Sequence, residues 1–107
     1  MTTVVRREDL AHAVAEAVTA VPGVARLSPG SGVEVATLYA GGKVVGLRLS
    51  GDVVGVHIVA DRVPLQPVAD EAAAAARRAL SAAGDDREVN VVVEDVESAA
   101  LDRRSRD

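Results

Sequence analysis

The chain has no cysteine, no tryptophan and no phenylalanine, and Tyr39 is its single tyrosine. Without cysteine there is no disulfide, no thiolate nucleophile and no thiolate metal site, which fits a reducing compartment. Without aromatic side chains there are no flat rings for unpaired bases to stack on, the usual platform for single-stranded nucleic acid. Lysine is almost missing as well, Lys43 alone, and 16 acidic residues outnumber 12 basic ones for a formal net charge of −4. A surface that tracks phosphates needs clustered Lys and Arg, so this balance argues against one. No apolar run reaches the roughly 18 residues that a membrane-crossing helix takes. In MTTVVRREDL acidic residues stand where a signal peptide carries its apolar stretch, so the expected location is the cytoplasm.

What remains is rich in valine and alanine, and 107 residues suffice for one domain with a single core. The most informative stretch runs from Val53 to Val96. Between Val53 and Ala60 every residue but Gly55 and His57 is apolar, and most are β-branched, the side chains that favour a pleated surface. Alternation puts Val54, Val56, Ile58 and Ala60 on one face of this strand, and Val53, Gly55, His57, Val59 and Asp61 on the other. Val63-Pro64 ends it, because proline lacks a donor and restricts its predecessor. Pro67 suits the first turn of a helix. Val68, Ala72, Ala75, Ala76, Ala79, Leu80 and Ala83 then recur at helical spacing, with Asp70 and Glu71 towards the positive end and Arg77 and Arg78 towards the negative one. Gly84 can supply a left-handed cap. From Glu88 to Val96 the alternation returns, with Val89, Val91 and Val93 inward and Asn90, Val92 and Glu94 outward.

Earlier in the chain, Leu10, Ala13, Val14, Ala17, Val18 and Val21 predict an amphipathic helix closed by Pro22-Gly23. Val24 to Ser28 reads as a short strand, and Ser28-Pro29-Gly30-Ser31-Gly32 as a turn cluster. Val33 to Tyr39 and Lys43 to Ser50 read as strands joined at Gly41-Gly42. The second of these carries Val45, Leu47 and Leu49 on one face, and Val44, Gly46 and Arg48 on the other. Ser50-Gly51-Asp52 makes a hairpin into the Val53 strand. The expected fold class is α+β, a two-layer sandwich of order α-β-β-β-α-β, with an optional short strand at Val24. Both helices cover one face of a mainly antiparallel sheet. Residues 8–97 form the domain, 1–7 a frayed start and 98–107 a mobile charged tail in which Asp102 and Asp107 flank Arg103, Arg104 and Arg106.

No constellation for catalysis, cofactor binding or metal binding stands out. His57 is a lone mid-strand histidine, and His12 falls opposite the apolar stripe of its helix. Two histidines on separate elements do not make a ligand spacing. Tyr39 reads as a half-buried packing residue, and Glu94, Asp95 and Glu97 as a solvated strand end, since alternation sends Glu94 and Asp95 to opposite faces. The glycine clusters lack the Gly-Lys-Ser/Thr step of a phosphate loop. The outward sheet face instead carries Arg48, His57, Val59, Asn90, Val92 and Glu94. It is too apolar to be indifferent to neighbours, and is the candidate surface for self-association. A small α+β nucleic-acid-binding module is the alternative, with the charge, the missing aromatics and the lack of a Gly-x-x-Gly loop against it.

The block VHIVADRVPLQPVADEAAAAARRAL…REVNVVVEDV resembles the alkaline-shock and general-stress protein family of Gram-positive bacteria. Val89-Asn90-Val91-Val92-Val93-Glu94-Asp95-Val96 follows that family's closing strand, V-N-V-x-V-x-D-V. Ala17 to Val21 followed by Gly23-Val24 follows its first helix and Gly-Val step. The likeness spans residues 8–97, although the helix here is richer in alanine and the Asp61 to Pro67 turn differs in composition. The resemblance implies a non-enzymatic cytoplasmic protein of the envelope stress response. It further implies a homo-oligomer, held at the inner face of the membrane by a separate anchor protein. It supplies no catalytic residues.

Overall fold

In a computed structural model, which describes residues 6–97, the layer is built around the long strand β5 (Val53–Ala60). Five strands separate the two helices: the optional strand at Val24 is present, and the expected Lys43–Ser50 strand is divided in two. The order is α1 (Arg7–Thr19), β1 (Val24–Leu27), β2 (Ala36–Tyr39), β3 (Gly42–Val45), β4 (Leu47–Arg48), β5, α2 (Leu65–Ala82) and β6 (Glu88–Val96). The architecture is α+β and mainly antiparallel: β1 and β4 pair antiparallel with β5, and β2 with β3, while β6 runs parallel to β5. β1 and β4 share one edge of β5, opposite its Ile58–Ala60 and Gly55–Val56 stretches respectively, and β6 takes the other edge. The backbone of His57 shows how the first edge is divided. Its N–H donates to Gly46 O at 2.8 Å, and its C=O accepts from Ser28 N at 2.8 Å.

The alternation expected of β5 holds: Val54, Val56, Ile58 and Ala60 are each fully buried against the helices. From α2 the core takes Val68, Ala72, Ala75, Ala76 and Leu80, and from α1 Ala11, Val14 and Val18. The α1 stripe is rotated from its expected position. Ala11 is buried and Ala13 exposed, so the face centres on Ala11, Val14 and Val18.

The stretch from Lys43 to Ser50 is not one strand. Gly46 has φ +88° and breaks it in two, and a Cβ there would stand 2.7 Å from Leu27 Cβ. A left-handed residue reverses the alternation, so Val44 faces the core with Leu47 and Leu49, and Val45 does not. This kink releases the β2–β3 hairpin from the main sheet. Thr37 bridges the two, donating from Oγ1 to Leu47 O at 2.7 Å and accepting from Leu49 N at 3.3 Å.

Helix α2 starts at Leu65, with Pro67 inside the first turn. Asp70 and Glu71 therefore lie beyond the first turn, and Arg77 and Arg78 before the last, where the macrodipole acts weakly. The C-terminus closes as expected at Gly84 (φ +80°). Asp85 N donates to Leu80 O and Gly84 N to Ser81 O, both at 2.9 Å, the paired bonds of a left-handed cap. At the other end of the chain, Arg7 already belongs to α1. Arg6 stands at its N-cap in an extended conformation, and residues 1–5 of the expected frayed start and the whole of the expected mobile tail lie outside the described residues.

Arg87 fastens the end of the sheet where β6 begins. Its guanidinium takes Asp85 in a fork, Nε to Oδ1 at 3.0 Å and Nη2 to Oδ2 at 2.7 Å, while Nη1 donates to Leu49 O and, at 3.1 Å, to Gly51 O. The β4–β5 turn and the α2–β6 turn are thus tied through one side chain. Hydrogen bonding to Arg87 holds the Asp85 carboxyl below its ordinary range, against a smaller opposing effect of burial. Such a group stabilises the fold above its unfolded pKa, and the contribution is lost as pH falls through the lowered folded value. Arg87→Ala should cost about 2 kcal/mol in denaturant unfolding at neutral pH. The gap between wild type and Asp85→Asn should close as the pH is taken below about 4. A gap that stays constant into acid would mean that Asp85 is not held in this way.

Candidate functional site: the outer face of the sheet

The sheet face turned away from the helices is not open along its whole length. Ser31, in the loop after β1, places Oγ 3.4 Å from Glu94 Oε2 on β6. β1 and β6 lie on opposite edges of β5, so the Ser28–Val35 segment must cross the outer face to reach it. This strap is closed on itself by Val35 N to Pro29 O at 2.8 Å, and joined to the kink by Gly46 N to Val35 O at 2.7 Å. The expected strand from Val33 therefore begins only at Ala36, and the glycine-rich turn cluster forms the strap. Val59, expected on a free surface, is 5% exposed and lies outside the main core, on the stretch that the strap crosses.

Under the strap, His57 Nδ1 and Glu94 Oε1 are 2.6 Å apart, with side-chain exposures of 19% and 18%. Glu94 is thus not a solvated strand end. β6 carries one extra residue against β5 here, Ile58 facing Val93 and Val59 facing Asp95, and Glu94 is the residue between. The bulge leaves Asp95 exposed and Glu94 turned over β5 beside His57. A carboxylate only accepts, so the Nδ1 proton is donated to it and the imidazole is held in one orientation. Nε2 extends over Gly55, 3.9 Å from where a Cβ on that residue would stand, on the side where Arg48 packs. The order of contacts is Ser31–Glu94–His57. The hydroxyl meets the carboxylate and not the imidazole, so the histidine is not placed to take its proton.

The expected surface residues thus divide into two groups. His57, Val59 and Glu94 are held beneath or beside the strap. Arg48 and Asn90 are exposed and Val92 is half-buried, and Val53, at 44% exposure, joins them on the open part. His12 is exposed, as expected, but its Nε2 lies 3.2 Å from the hydroxyl of half-buried Tyr39, joining α1 to the hairpin. Among the described residues, no three His, Asp or Glu side chains are grouped closely enough to hold a metal ion, and no helix is long and apolar enough to cross a membrane. No family model, no curated protein and no solved structure matches the chain.

The His57–Glu94 pair has no local signature in the sequence, because its partners sit 37 residues apart and meet only through the pairing of β6 with β5. The available signal was that both were expected on the same outward face. Removing the carboxylate with Glu94→Ala should destabilise the fold by about 1–2 kcal/mol by leaving a half-buried imidazole unpaired. The same change should speed proteolytic cleavage between Pro29 and Val35. Ser31→Ala, at an exposed and long contact, should stay within about 0.5 kcal/mol. Equal cleavage rates in wild type and Glu94→Ala would show that the pair does not hold the strap.

Proposed function

We propose that this chain works by binding and not by catalysis, as a self-associating scaffold or adaptor of the envelope stress response. The observation that carries the reading is the uneven outer face. One part is roofed by the chain's own strap, and the rest presents valine beside Arg48 and Asn90 with none of the described residues upon it. A half-apolar sheet surface rimmed by polar groups suits a protein partner, and its sparse cations do not suit nucleic acid. The geometry of the one His–Glu pair supports the non-enzymatic part, since its carboxylate faces a hydroxyl and no nucleophile stands at the imidazole. The stress role, and recruitment to the inner membrane face by an anchor protein, are supported by the resemblance of the closing strand to the alkaline-shock family.

Sedimentation of the wild type at cellular concentration should give species larger than the monomer. Val53→Lys with Val92→Lys, at positions that need not disturb the core, should shift that distribution downward. In the native cell the protein's abundance should rise after alkaline or cell-wall challenge. Wild type and double variant both running as monomers would remove self-association, and a flat abundance would remove the stress role.

A further inference from the structure

We propose that the free edge of β6 is where a second copy of this chain docks. The two β6 strands pair antiparallel about a two-fold axis, and the two α2 helices lie against each other above the joint. The inference rests on the self-associating reading and adds where the copies meet.

The first observation is the edge itself. β5 is the only strand that pairs with β6 among the described residues. Because the His57 backbone is bonded to Gly46 and Ser28, alternation turns the backbone groups of Val54, Val56 and Ile58 towards β6. In a parallel ladder with Val56 opposite Val91, the residues of β6 whose own N–H and C=O point outward are then Val89, Val91 and Val93. Their side chains are only half-buried against the core. Three adjacent outward sites are what an antiparallel copy of the same strand needs. Centred on Val91, the pairing sets Val89 against Val93 of the other copy and Val91 against itself. Glu88 then faces Glu94 of the other copy, and His57 relieves this clash by drawing the Glu94 carboxylate back over β5.

The second observation is the charge on the flank of α2 above that edge. Val68 packs against Gly23 just before β1, so that side of the helix faces away from β6. At about 100° per residue, Gln66, Asp70, Ala73 and Arg77 form one stripe on the opposite side, towards the free edge. Asp70, Arg77 and Gln66 are exposed and Ala73 is half-buried. Arg77 has no hydrogen-bond or ion-pair partner among the described residues, and Asp70 accepts only from Gln66, at 2.8 Å. When two such helices meet antiparallel, Asp70 of each faces Arg77 of the other, and the small Ala73 at the centre lets the backbones approach.

The two halves of the joint agree in height. α2 and β6 both run away from the turn at 83–87. The point midway between Asp70 and Arg77 lies about 13 Å back along the helix from Ala82. The stretch from Glu88 to Val91, the centre of the strand pair, covers about 10 Å of strand. The centres of the strand pair and of the charge pair therefore fall within about 3 Å of one height, so one two-fold axis can serve both, as an isologous interface requires.

The test is a charge exchange read by sedimentation equilibrium of the full chain. Asp70→Arg alone, or Arg77→Asp alone, should weaken the dimer about tenfold, since two attractions become two repulsions. The double exchange, Asp70→Arg with Arg77→Asp, should restore affinity to within about threefold of wild type. Val91→Pro removes an outward N–H without touching the β5 ladder, and should give a monomer with unchanged circular dichroism. Failure of the double exchange to restore the dimer would overturn the inference. So would an assembly that ignores this series and Val91→Pro yet yields to Val53→Lys with Val92→Lys, which leaves the self-associating reading standing. A wild type that is monomeric throughout removes both.

Discussion

Both ladders of β5 must be satisfied at once, and most of the structure follows from how that is done. On one side the chain supplies two short antiparallel pieces end to end, β1 and β4, with Gly46 at the join accepting from His57. On the other side β6 runs parallel, which no hairpin can deliver, so the chain must cross the sheet and return. α2 is that crossing. Its alanine-rich face, with Ala72, Ala75 and Ala76 buried, lets it lie close over strands whose inward side chains are mostly valine. A glycine in a left-handed conformation and a stripe of methyl groups thus serve the same strand from its two sides.

The outer face follows from the same arrangement. With both helices spent on one side, β5 would show His57 and Val59 to water. The chain covers that stretch with the Ser28–Val35 strap and meets the half-buried imidazole with a carboxylate from the far strand. The bulge at Glu94 makes this possible, because a regular β6 would leave that position without the extra residue that brings the side chain over its neighbour. The pair joins the loop to the sheet through Glu94, whose carboxylate meets the Ser31 hydroxyl on one side and the imidazole on the other.

Much of this was legible in the residues. Val54, Val56, Ile58 and Ala60, the α2 stripe and the cap at Gly84 all follow from local periodicity and backbone chemistry, and these are local properties. What escaped depends on long-range pairing. The Lys43–Ser50 run alternates convincingly, and only the approach of Leu27 to Gly46 shows that it is two strands of opposite facing. A strict period of two sends Glu94 and Asp95 to opposite faces, and the bulge breaks that period. Val59 was placed correctly on the outward face, yet its burial depends on a strap whose glycines and serines announce a turn and not where the turn goes. Arg87 has no signature in the sequence for the same reason. Its acceptors are the backbone carbonyls of Leu49 and Gly51, and no pattern in the sequence points to them.

The strand that closes the sheet keeps one edge unpaired among the described residues. Chains usually guard a free edge with lysine, proline, an inward charge or a covering segment. β6 carries acidic groups towards its two ends, Glu88 and the Glu94–Asp95 bulge, but between them Val91, Val92 and Val93 stand in a row. Among the described residues the strap lies on the outer face, and no strand but β5 pairs with β6. Acidic ends around an apolar centre limit how far pairing can extend along the strand while leaving the middle free to pair. That combination disfavours open-ended stacking of strands and favours a short, closed contact. A two-fold joint is the simplest closed contact that one kind of chain can make with itself.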